Sequence, residues 1–485
     1  MTDPTRSATD SVPGPVPTAQ QIAADVRAGR LTARAAVEHS LARITTYDPD
    51  LGACTVVRAE QALAEADELD AGGAGHDGPL AGVPVAVKEE CDVAGEVTTL
   101  GGFGNSTPAA KDSELTRRLR AAGAVIVGKT SMPEFGQFPI SDSARYGRTH
   151  NPWDSGRSAG GSSCGSAAAV AAGLIPVGIG SDGGGSIRIP ASCCGLVGLK
   201  PQRGRVSSAP YPDHWHGLVS SGALTRTVAD QALVLDVISG STPTDRYRAE
   251  PPDTSFAEQA AQPPGASGPG ETDGRPLRIG WTTKTVVPGR RVDPQVAEAT
   301  AATAQALAGF GHQVGRIKPR WPAPTAAFLP LFYAGMRQEA ERVEHPELLD
   351  TWTRQTVRLS GWATDAVVRQ AQRIGRRVAA VLDAGFAHWD VLLLPTLEML
   401  PPRAGQLAGL GTLRAQLLST PVIGNVAITN VTGHPALSVP IGLSQEGWPI
   451  GGQLLAATGQ EGVLLALAAQ LEQAQPWPEL APAYR

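Results

Sequence analysis

The 485-residue sequence lacks the features that mark membrane proteins and nucleic-acid-binding proteins. No stretch approaches the roughly 20 consecutive apolar residues that a membrane-spanning helix needs, and the N-terminal segment contains no apolar core typical of a secretory signal. No cluster of lysine and arginine could follow a phosphate backbone, and the formal net charge is only -5. We therefore expect a cytoplasmic protein with neither a membrane nor a nucleic acid as its partner.

Cysteine is also scarce, and the five cysteines form no recognisable pattern. Their number is odd, none of them is spaced as C-x-x-C, and only Cys193 and Cys194 are close together. This arrangement fits neither a disulfide framework nor a cysteine-ligated metal site. The histidines His214 and His216 alone do not complete a zinc site. The sequence therefore predicts reduced thiols, no metal and no cofactor.

The chain does contain enough apolar residues for a large core, since hydrophobic residues make up 42% of it and charged residues 18%. From residue 82 onwards, short apolar runs alternate with segments of helical character, as in VPVAVK, DSELTRRLRAAG, AVIVGKT, SAAAVAAG and IPVGIGSD. After residue 390 the chain returns to strand-like runs, VLLLPT, ALSVPIG and PIGGQLL. This alternation predicts an α/β protein. We expect a large mixed β-sheet core, built from both halves of the chain and flanked by α-helices on both sides.

Two familiar motifs occur without the context that they require. Residues 123–130, GAVIVGKT, match the phosphate-binding P-loop expression, but the intervening Ala-Val-Ile-Val predicts a buried strand and not a phosphate-cradling turn. Residues 161–165, GSSCG, match the nucleophile elbow with Ser163 at its centre, and His434 would be the histidine that such a site needs. The segment before Gly161 is polar and turn-like, whereas an elbow follows a strand. The sequence therefore disfavours both nucleotide binding and an α/β-hydrolase site.

Four longer stretches form a more specific pattern, which is AGVPVAVKE (81–89), AGAVIVGKTSMPEFG (122–136), GRTHNPWDSGRSAGGSSCGSAAAVAAG (147–173) and GSDGGGSIRIPASCCGLVGLKPQRGRVS (180–207). Three C-terminal segments, DVLLLPT, NVTGHPALSVPIG and GWPIGGQLL, continue this pattern less specifically. In these stretches the chain resembles the amidase signature family, whose hallmark is a Ser-cisSer-Lys triad. The resemblance covers most of the chain from about residue 80 onwards. It implies the amidase signature fold and a cofactor-free hydrolase that acts on amides.

The resemblance also suggests how the chain is organised. Residues 1–17, rich in Pro, Ser and Thr, are expected to form a mobile tail, and residues 18–485 a single amidase signature domain. Within that domain we expect a helical N-terminal part (18–75), a catalytic core (80–240), a surface insertion (250–276), a variable helical region (323–389), and a C-terminal sheet and helix (390–475).

Carried over residue by residue, the resemblance makes Ser186 in GGGSIRIP the nucleophile, Ser162 the cis-serine and Lys88 the base. Ser162 and Ser186 stand 24 positions apart, a spacing that matches the family. A serine hydroxyl attacks an amide only when a neighbouring group takes its proton, and a lysine can do so only when neutral. Burial in an apolar strand favours the neutral form of a lysine. The alternative for Lys88 is a purely structural ion pair with Glu89 or Glu90.

The glycines before Ser186 have an implied role as well. In the family, the backbone N–H groups that correspond to Gly183, Gly184 and Gly185 form the oxyanion hole. Such groups stabilise the negative charge that develops on the former carbonyl oxygen of the substrate. Glycines also allow the backbone to approach the substrate closely.

Three further residues are expected to support the triad. Ser163 would hydrogen-bond within it, while Asp182 and Arg188 would brace the loop without taking part in the chemistry. The resemblance also implies that the peptide bond before Ser162 is cis.

Two residues depart from the family pattern. Cys164 replaces the glycine usual in GGSSGGS, and because it has no obvious base beside it, we expect a small buried thiol there and not a nucleophile. Gly183 stands where threonine or isoleucine is common, and we expect it to enlarge the acyl pocket near Ser186. Neither departure removes a catalytic group.

The substrate is less well defined by the sequence. The segment 207–218, SSAPYPDHWHGL, is rich in aromatic residues and, with Phe328, Phe332 and Tyr333, is a candidate pocket lining. These residues favour an apolar or aromatic acyl amide as the small-molecule partner, and a homodimer is left open. We therefore expect an amidase that forms an acyl-enzyme ester on Ser186 and releases an acid together with ammonia or an amine.

Two other functions are consistent with the same fold. The A subunit of a glutamyl-tRNA amidotransferase uses the same triad to supply ammonia to a partner subunit, but this chain reads SIRIP where that subunit usually reads SIRQP, and it has no clear SSLDQIGP word. A non-catalytic binding protein could also retain the fold, since a fold does not guarantee an activity. The intact triad positions argue against that second alternative.

Overall fold

The computed structural model describes residues 16–264, 274–286, 289–319 and 321–485. Residues 1–15 of the expected tail and residues 265–273 of the expected insertion therefore lie outside the described residues. At the beginning of the described part, the carbonyl groups of Val16 and Pro17 accept hydrogen bonds from Arg226 at 3.2 and 2.6 Å. No helix in the described ranges is long and apolar enough to cross a bilayer.

Eleven of the thirteen strands in the described residues form one sheet. The strands are β1 (Cys54–Val57), β2 (Pro84–Lys88), β3 (Val125–Thr130), β4 (Asp142–Ser143), β5 (Gly147–Arg148), β6 (Val177–Asp182), β7 (Val197–Lys200), β8 (Ser220–Thr225), β9 (Arg278–Trp281), β10 (Gln313–Arg316), β11 (Val391–Pro395), β12 (Ala436–Leu443) and β13 (Pro449–Leu455). Their order across the sheet is β1-β3-β2-β6-β8-β7-β12-β13-β11-β9-β10, while β4 and β5 form a separate ribbon.

The sheet is mixed, with parallel pairs on both sides of an antiparallel centre. β2 runs parallel to both β3 and β6, and β9 runs parallel to both β10 and β11. The strands between β6 and β11 pair antiparallel with one another. The predicted α/β fold with a large mixed sheet built from both halves of the chain is therefore confirmed.

The α-helices of the described residues are α1 (Ala19–Arg27), α2 (Ala33–Leu51), α3 (Ala59–Asp70), α4 (Glu114–Ala121), α5 (Cys164–Ala171), α6 (Arg188–Cys194), α7 (Val228–Ile238), α8 (Phe256–Ala260), α9 (Pro294–Gly309), α10 (Thr325–Ala340), α11 (Thr351–Leu359), α12 (Asp365–Phe386), α13 (Thr412–Ile423), α14 (Ala427–Thr432) and α15 (Glu461–Ala474). They cover both faces of the sheet, as the side chains of β2 show. Ala86 packs in a cluster with α2 and α5, whereas Val85 and Val87 pack with α1, α4 and α7. Because both faces are covered, β2 is apolar along its length until it reaches Lys88.

The helix α5 consists of small residues because it lies very close to the strands. All eight of its residues are buried. A Cβ atom on Gly165 would lie 2.3 Å from both the carbonyl oxygen of Ala53 and the backbone nitrogen of Ser131, so only glycine fits there. This close approach brings Ser162 and Ser163, at the N-terminal end of α5, next to the ends of β2 and β6.

Three segments test the details of the sequence prediction. Residues 125–130 of the P-loop-like motif form the buried strand β3, as predicted. The helical N-terminal part also contains a strand, β1, which pairs with β3 at the edge of the sheet. The expected surface insertion is not entirely superficial, because Phe256 of α8 is 1% exposed and packs in the core against the guanidinium of Arg205.

Candidate active site

Two adjacent parallel strands carry most of the expected triad to one edge of the sheet. β2 and β6 are hydrogen-bonded neighbours, so their carboxyl ends lie side by side, which is where open α/β sheets place their ligands. Lys88 is the last residue of β2. β6 ends at Asp182 and leads into residues 183–187, the loop that carries Ser186.

Lys88 is 1% exposed and makes three polar contacts. Its Nζ atom donates hydrogen bonds to Ser162 Oγ at 2.8 Å and to Ser181 Oγ at 2.9 Å. It also lies 3.6 Å from a carboxylate oxygen of Glu90, whereas Glu89 faces a lysine on β3. Lys88 therefore makes both the expected contact with Ser162 and the ion pair with Glu90 that was considered as an alternative role for this lysine. The contact with Ser181 was not foreseen.

Ser162 and Ser163 lie beside the Ser186 loop. The Gly161–Ser162 peptide bond is cis. The backbone N–H of Ser163 donates to the carbonyl oxygen of Ser186 at 3.2 Å, and Ser163 Oγ donates to the carbonyl oxygen of Ser181 at 3.3 Å. Ser163 therefore ties the start of α5 both to the end of β6 and to the Ser186 loop. The hydroxyl of Ser186 has no hydrogen-bond partner among the described residues.

Asp182 and Arg188 form a completely buried ion pair at the base of the loop. Arg188 donates from Nε to Asp182 Oδ2 and from Nη2 to Asp182 Oδ1, both at 2.9 Å. The same carboxylate accepts the backbone N–H groups of Gly185 at 2.7 Å and Ile187 at 3.3 Å. Burial alone raises the pKa of Asp182, but the Arg188 guanidinium and the hydrogen bonds hold that pKa well below its ordinary value. The carboxylate therefore stays ionised and anchors the loop.

The remaining donors of Arg188 reach the C-terminal part of the chain. Nη1 donates to Thr429 Oγ1 at 2.7 Å and Gln453 Oε1 at 2.6 Å, and Nη2 donates to Asn430 Oδ1 at 2.8 Å. Asn430 in turn donates from Nδ2 to the backbone carbonyl of Asp182 at 2.7 Å. These amide side chains lie in the segments NVTGHPALSVPIG and GWPIGGQLL, whose motif resemblance implied no role for them. The sequence contained one signal for them, because each of these largely apolar segments has a single side-chain amide, Asn430 in the first and Gln453 in the second.

One of the three amides expected in the oxyanion hole is already in use. The N–H of Gly185 donates to Asp182, so its proton is shared with that carboxylate and not free for a substrate. Gly185 has a φ of 114°, and a Cβ there would lie 2.3 Å from Val426, which explains why the residue is glycine. The N–H groups of Gly183 and Gly184 have no acceptor among the described residues. Gly183 and Gly184 therefore keep an unused N–H group, and Gly184 also lines the cavity next to Ser186.

The space beside Gly183 is filled, which corrects the expectation of an enlarged acyl pocket. A Cβ atom on Gly183 would lie 2.9 Å from Cζ3 of Trp215 and 3.0 Å from Cγ2 of Val219. The indole of Trp215 is in turn held edge to face against the ring of Phe332, with centroids 5.6 Å apart. The missing side chain at Gly183 thus makes room for a tryptophan and not for substrate.

A cavity of about 310 Å³ opens over Ser186. No charged side chain is found among its described lining residues, and the large apolar ones are Phe138, Ile189, Trp215, Phe328, Leu329, Phe332, Leu413, Leu417 and Ile423. Phe328 and Phe332 therefore line the cavity as expected, and Trp215 does so from the aromatic segment 207–218. Tyr333 does not line it; its hydroxyl donates to Oε1 of Gln416, which does.

The other nucleophile candidates are packed away from the cavity. Cys164 is fully buried, burial raises the pKa of its thiol to about 11, and its Sγ donates to the carbonyl oxygen of Ser131. Ser163 is fully buried as well. The ring of His434 hydrogen-bonds to Asp383 at 2.9 Å and does not contact Ser163. Neither the cysteine alternative nor the nucleophile-elbow alternative is supported.

The histidine and cysteine residues show no metal-binding arrangement in the described part of the chain. His214 lies 3.3 Å from a carboxylate oxygen of Glu339. No cluster of three or more His, Cys, Asp or Glu residues within the described ranges could hold a metal ion. All five cysteines fall in those ranges, and each is a free thiol.

Comparisons with known proteins identify the family. The family model described as Amidase matches residues 35–465. The chain belongs to the amidase family. It is 41% identical over 459 residues to "Putative amidase AmiB2" of Mycobacterium tuberculosis (strain ATCC 25618 / H37Rv), in an alignment that covers 93% of this chain and 94% of that protein.

Two further comparisons extend over almost the whole of this amidase. It is 36% identical over 482 residues to "6-aminohexanoate-cyclic-dimer hydrolase" of Paenarthrobacter ureafaciens, with 93% of each chain covered. The solved structure of "6-aminohexanoate cyclic dimer hydrolase complexed with substrate" matches with a TM-score of 0.89 and 33% identity, over 97% of this chain and 99% of that one. This amidase is accordingly an enzyme that hydrolyses amide C–N bonds.

The buried ion pair predicts a large loss of stability when Arg188 is truncated. The variant Arg188→Leu leaves the Asp182 carboxylate buried without a counter-charge, so the free energy of unfolding, measured by urea titration, should fall by roughly 3–5 kcal/mol. Arg148 and Asp142 provide a matched control, because they are also six residues apart but are 36% and 24% exposed. Arg148→Leu should cost only about 0–1 kcal/mol. Equal losses in the two variants would contradict the structural role of the Asp182–Arg188 pair.

Proposed function

We propose that this amidase cleaves its substrate through an acyl-enzyme ester on Ser186, with Lys88 and Ser162 moving the proton. The observation that carries the proposal is the 2.8 Å hydrogen bond between Lys88 Nζ and Ser162 Oγ at the sheet edge where the Ser186 loop begins. Ser186 also lines the cavity, so its hydroxyl can reach a bound amide. A nucleophile, a relaying hydroxyl and a base are the parts that covalent amide hydrolysis needs.

In the first step, Ser186 Oγ attacks the carbonyl carbon of the amide and forms a tetrahedral intermediate. The proton of the Ser186 hydroxyl passes to Ser162 while the proton of Ser162 passes to the neutral amine of Lys88. The same route then runs in reverse and protonates the leaving nitrogen as the C–N bond breaks. Water hydrolyses the resulting ester by the same proton path, which releases the acid and restores Ser186.

Backbone N–H groups of the Ser186 loop would stabilise the negative charge of the tetrahedral intermediate. We assign Gly183 and Gly184 as the oxyanion donors, since their N–H groups are not used by other described residues, and we assign Gly185 to the support of the loop. Preorganised N–H groups of this kind stabilise the transition state because they need no reorganisation during the reaction. Asp182 and Arg188 keep the loop in that arrangement without touching the substrate.

The cavity favours a neutral amide with an apolar acyl group. Its large lining side chains are aromatic or aliphatic, and burying them against an apolar chain is favourable. Free glutamine, the ammonia donor of the amidotransferase alternative, carries an ammonium and a carboxylate, and burying such charges without partners is costly. Because no charged side chain is found in the described lining, the geometry favours the independent amidase over the glutaminase subunit.

The nucleophile assignment is tested with a fluorophosphonate probe and a panel of apolar acyl amides. Wild-type protein should gain the mass of one adduct, and Ser186→Ala should gain none and lose hydrolysis by roughly 10⁴-fold or more. Ser419 is a matched control, because it lines the same cavity and its hydroxyl donates to the carbonyl of Ala415. Ser419→Ala should keep the adduct. An adduct that persists in Ser186→Ala would show that another residue is the nucleophile.

The acyl-chain assignment is tested at the mouth of the cavity. Leu417 lines the cavity yet is 71% exposed, whereas Leu418, on the same helix and 45% exposed, does not line it. If long acyl chains extend over Leu417, then Leu417→Ser should lower kcat/KM for a decanoyl anilide by about tenfold, because apolar contact with the chain is lost. Acetanilide should be nearly unaffected, and Leu418→Ser should leave the ratio of the two substrates unchanged. A uniform effect on both substrates would count against an acyl chain at this mouth.

A further inference from the structure

The base of the proposed mechanism has a carboxylate beside it. Glu90 follows β2 by two residues, and one of its carboxylate oxygens lies 3.6 Å from Lys88 Nζ. The side chains of both residues are largely removed from water, with 1% of Lys88 and 12% of Glu90 exposed. Solvent screening of this contact is therefore weak.

Ser181 completes a triangle with these two residues. Its Oγ accepts a hydrogen bond from Lys88 Nζ at 2.9 Å, and Ser181 is also among the groups that lower the pKa of the Glu90 carboxyl. One hydroxyl thus contacts the amine directly and also favours the ionised form of the carboxylate. The third contact of the amine, Ser162 Oγ at 2.8 Å, is then set by the other two.

The charge of Glu90 follows from the groups that face it. Burial alone would raise the pKa of Glu90, but Lys88 and His214 outweigh that effect and hold the pKa below its ordinary value. Burial likewise lowers the pKa of His214, but Glu339 and Glu90 raise it overall. Cys91 stays a neutral thiol, since burial and Glu90 raise its pKa to about 12. Glu90 is therefore an anion between two basic groups.

Such an anion has a direct consequence for a lysine base. A neighbouring carboxylate in general favours the ammonium form of a lysine, whereas proton abstraction requires the neutral amine, and Glu90 lies 3.6 Å from Lys88 Nζ. We infer that Glu90 is a positioning residue that, through Ser181, aims the amine of Lys88 at Ser162 and whose charge sets the pH at which this amidase becomes active. This inference rests on the proposed function of Lys88.

The test is the dependence of kcat/KM on pH, measured from pH 5 to 10 with one apolar acyl anilide. Glu90→Gln keeps a side-chain acceptor for Ser181 but removes the charge, so the midpoint of the rising limb should move to lower pH by about one unit. The neutral amine then becomes more frequent but also less basic. The variant should therefore be about threefold faster than the wild type below the wild-type midpoint and slower above it.

Two further variants separate charge from position. Glu90→Asp keeps the charge and should keep a midpoint close to that of the wild type. Ser181→Ala removes the hydroxyl bridge while Glu90 remains, so kcat on the alkaline plateau should fall while the midpoint stays near the wild-type value. If Glu90→Gln does not fold, Glu90→Ala carries the same test, since Glu90 borders a second cavity of about 160 Å³ in which a smaller side chain leaves room for water.

A purely structural role for Glu90 predicts slower hydrolysis at every pH and an unmoved midpoint, and that result in a folded variant would overturn the inference. A midpoint that moves to higher pH would overturn it as well. Failure of the proposed function has a different signature, namely Lys88→Ala with hydrolysis that falls less than about tenfold. The two failures are therefore distinguishable in the same assay.

Discussion

The arrangement around Ser186 depends on the buried ion pair of Asp182 and Arg188. Removing two charges from water is costly unless each charge is fully matched. Here the carboxylate receives the guanidinium together with two backbone N–H groups, and the remaining guanidinium donors reach oxygens on or next to α14 and on β13. Because those elements belong to the C-terminal part of the sheet, the loop after β6 has its observed shape only when that part is in place. The position of Ser186, the proposed nucleophile, therefore depends on the whole fold.

The sheet itself determines the environment of Lys88, the proposed base. β2 lies between two parallel neighbours and under helices on both faces, so its side chains are buried from Pro84 to Lys88. A lysine at the end of such a strand reaches the ligand edge of the sheet without reaching bulk water. The small side chains of α5 allow Ser162 to approach it from one side of the sheet edge, and β6 supplies Ser181 from its own end. The polar groups of the site therefore meet where β2 and β6 end and α5 begins.

Sequence reasoning reached the parts of the molecule that are encoded locally. The apolar runs predicted β2, β3 and β6, and the motif resemblance selected Lys88 and Ser162, which the structure brings into contact. Features that depend on residues far away in the sequence were not predicted. The indole of Trp215 fills the space beside Gly183, and Asn430 binds Asp182 from 248 positions away. A local sequence pattern does not indicate which distant side chain will fill a gap or hydrogen-bond to a given group. Such contacts determine the shape of the cavity and which backbone N–H groups remain available as the proposed oxyanion donors.

The carboxylate beside the base has opposite effects on two quantities that catalysis needs. In general, a carboxylate next to an amine base makes the neutral amine less frequent but a stronger base. The role that we propose for Glu90 therefore exchanges activity at low pH for a more reactive base at high pH. It has a structural benefit too, because a buried ammonium without a counter-charge is destabilising. With Glu90 in place, a protonated Lys88 would have a counter-charge 3.6 Å away, and Ser181 contacts the same amine at 2.9 Å.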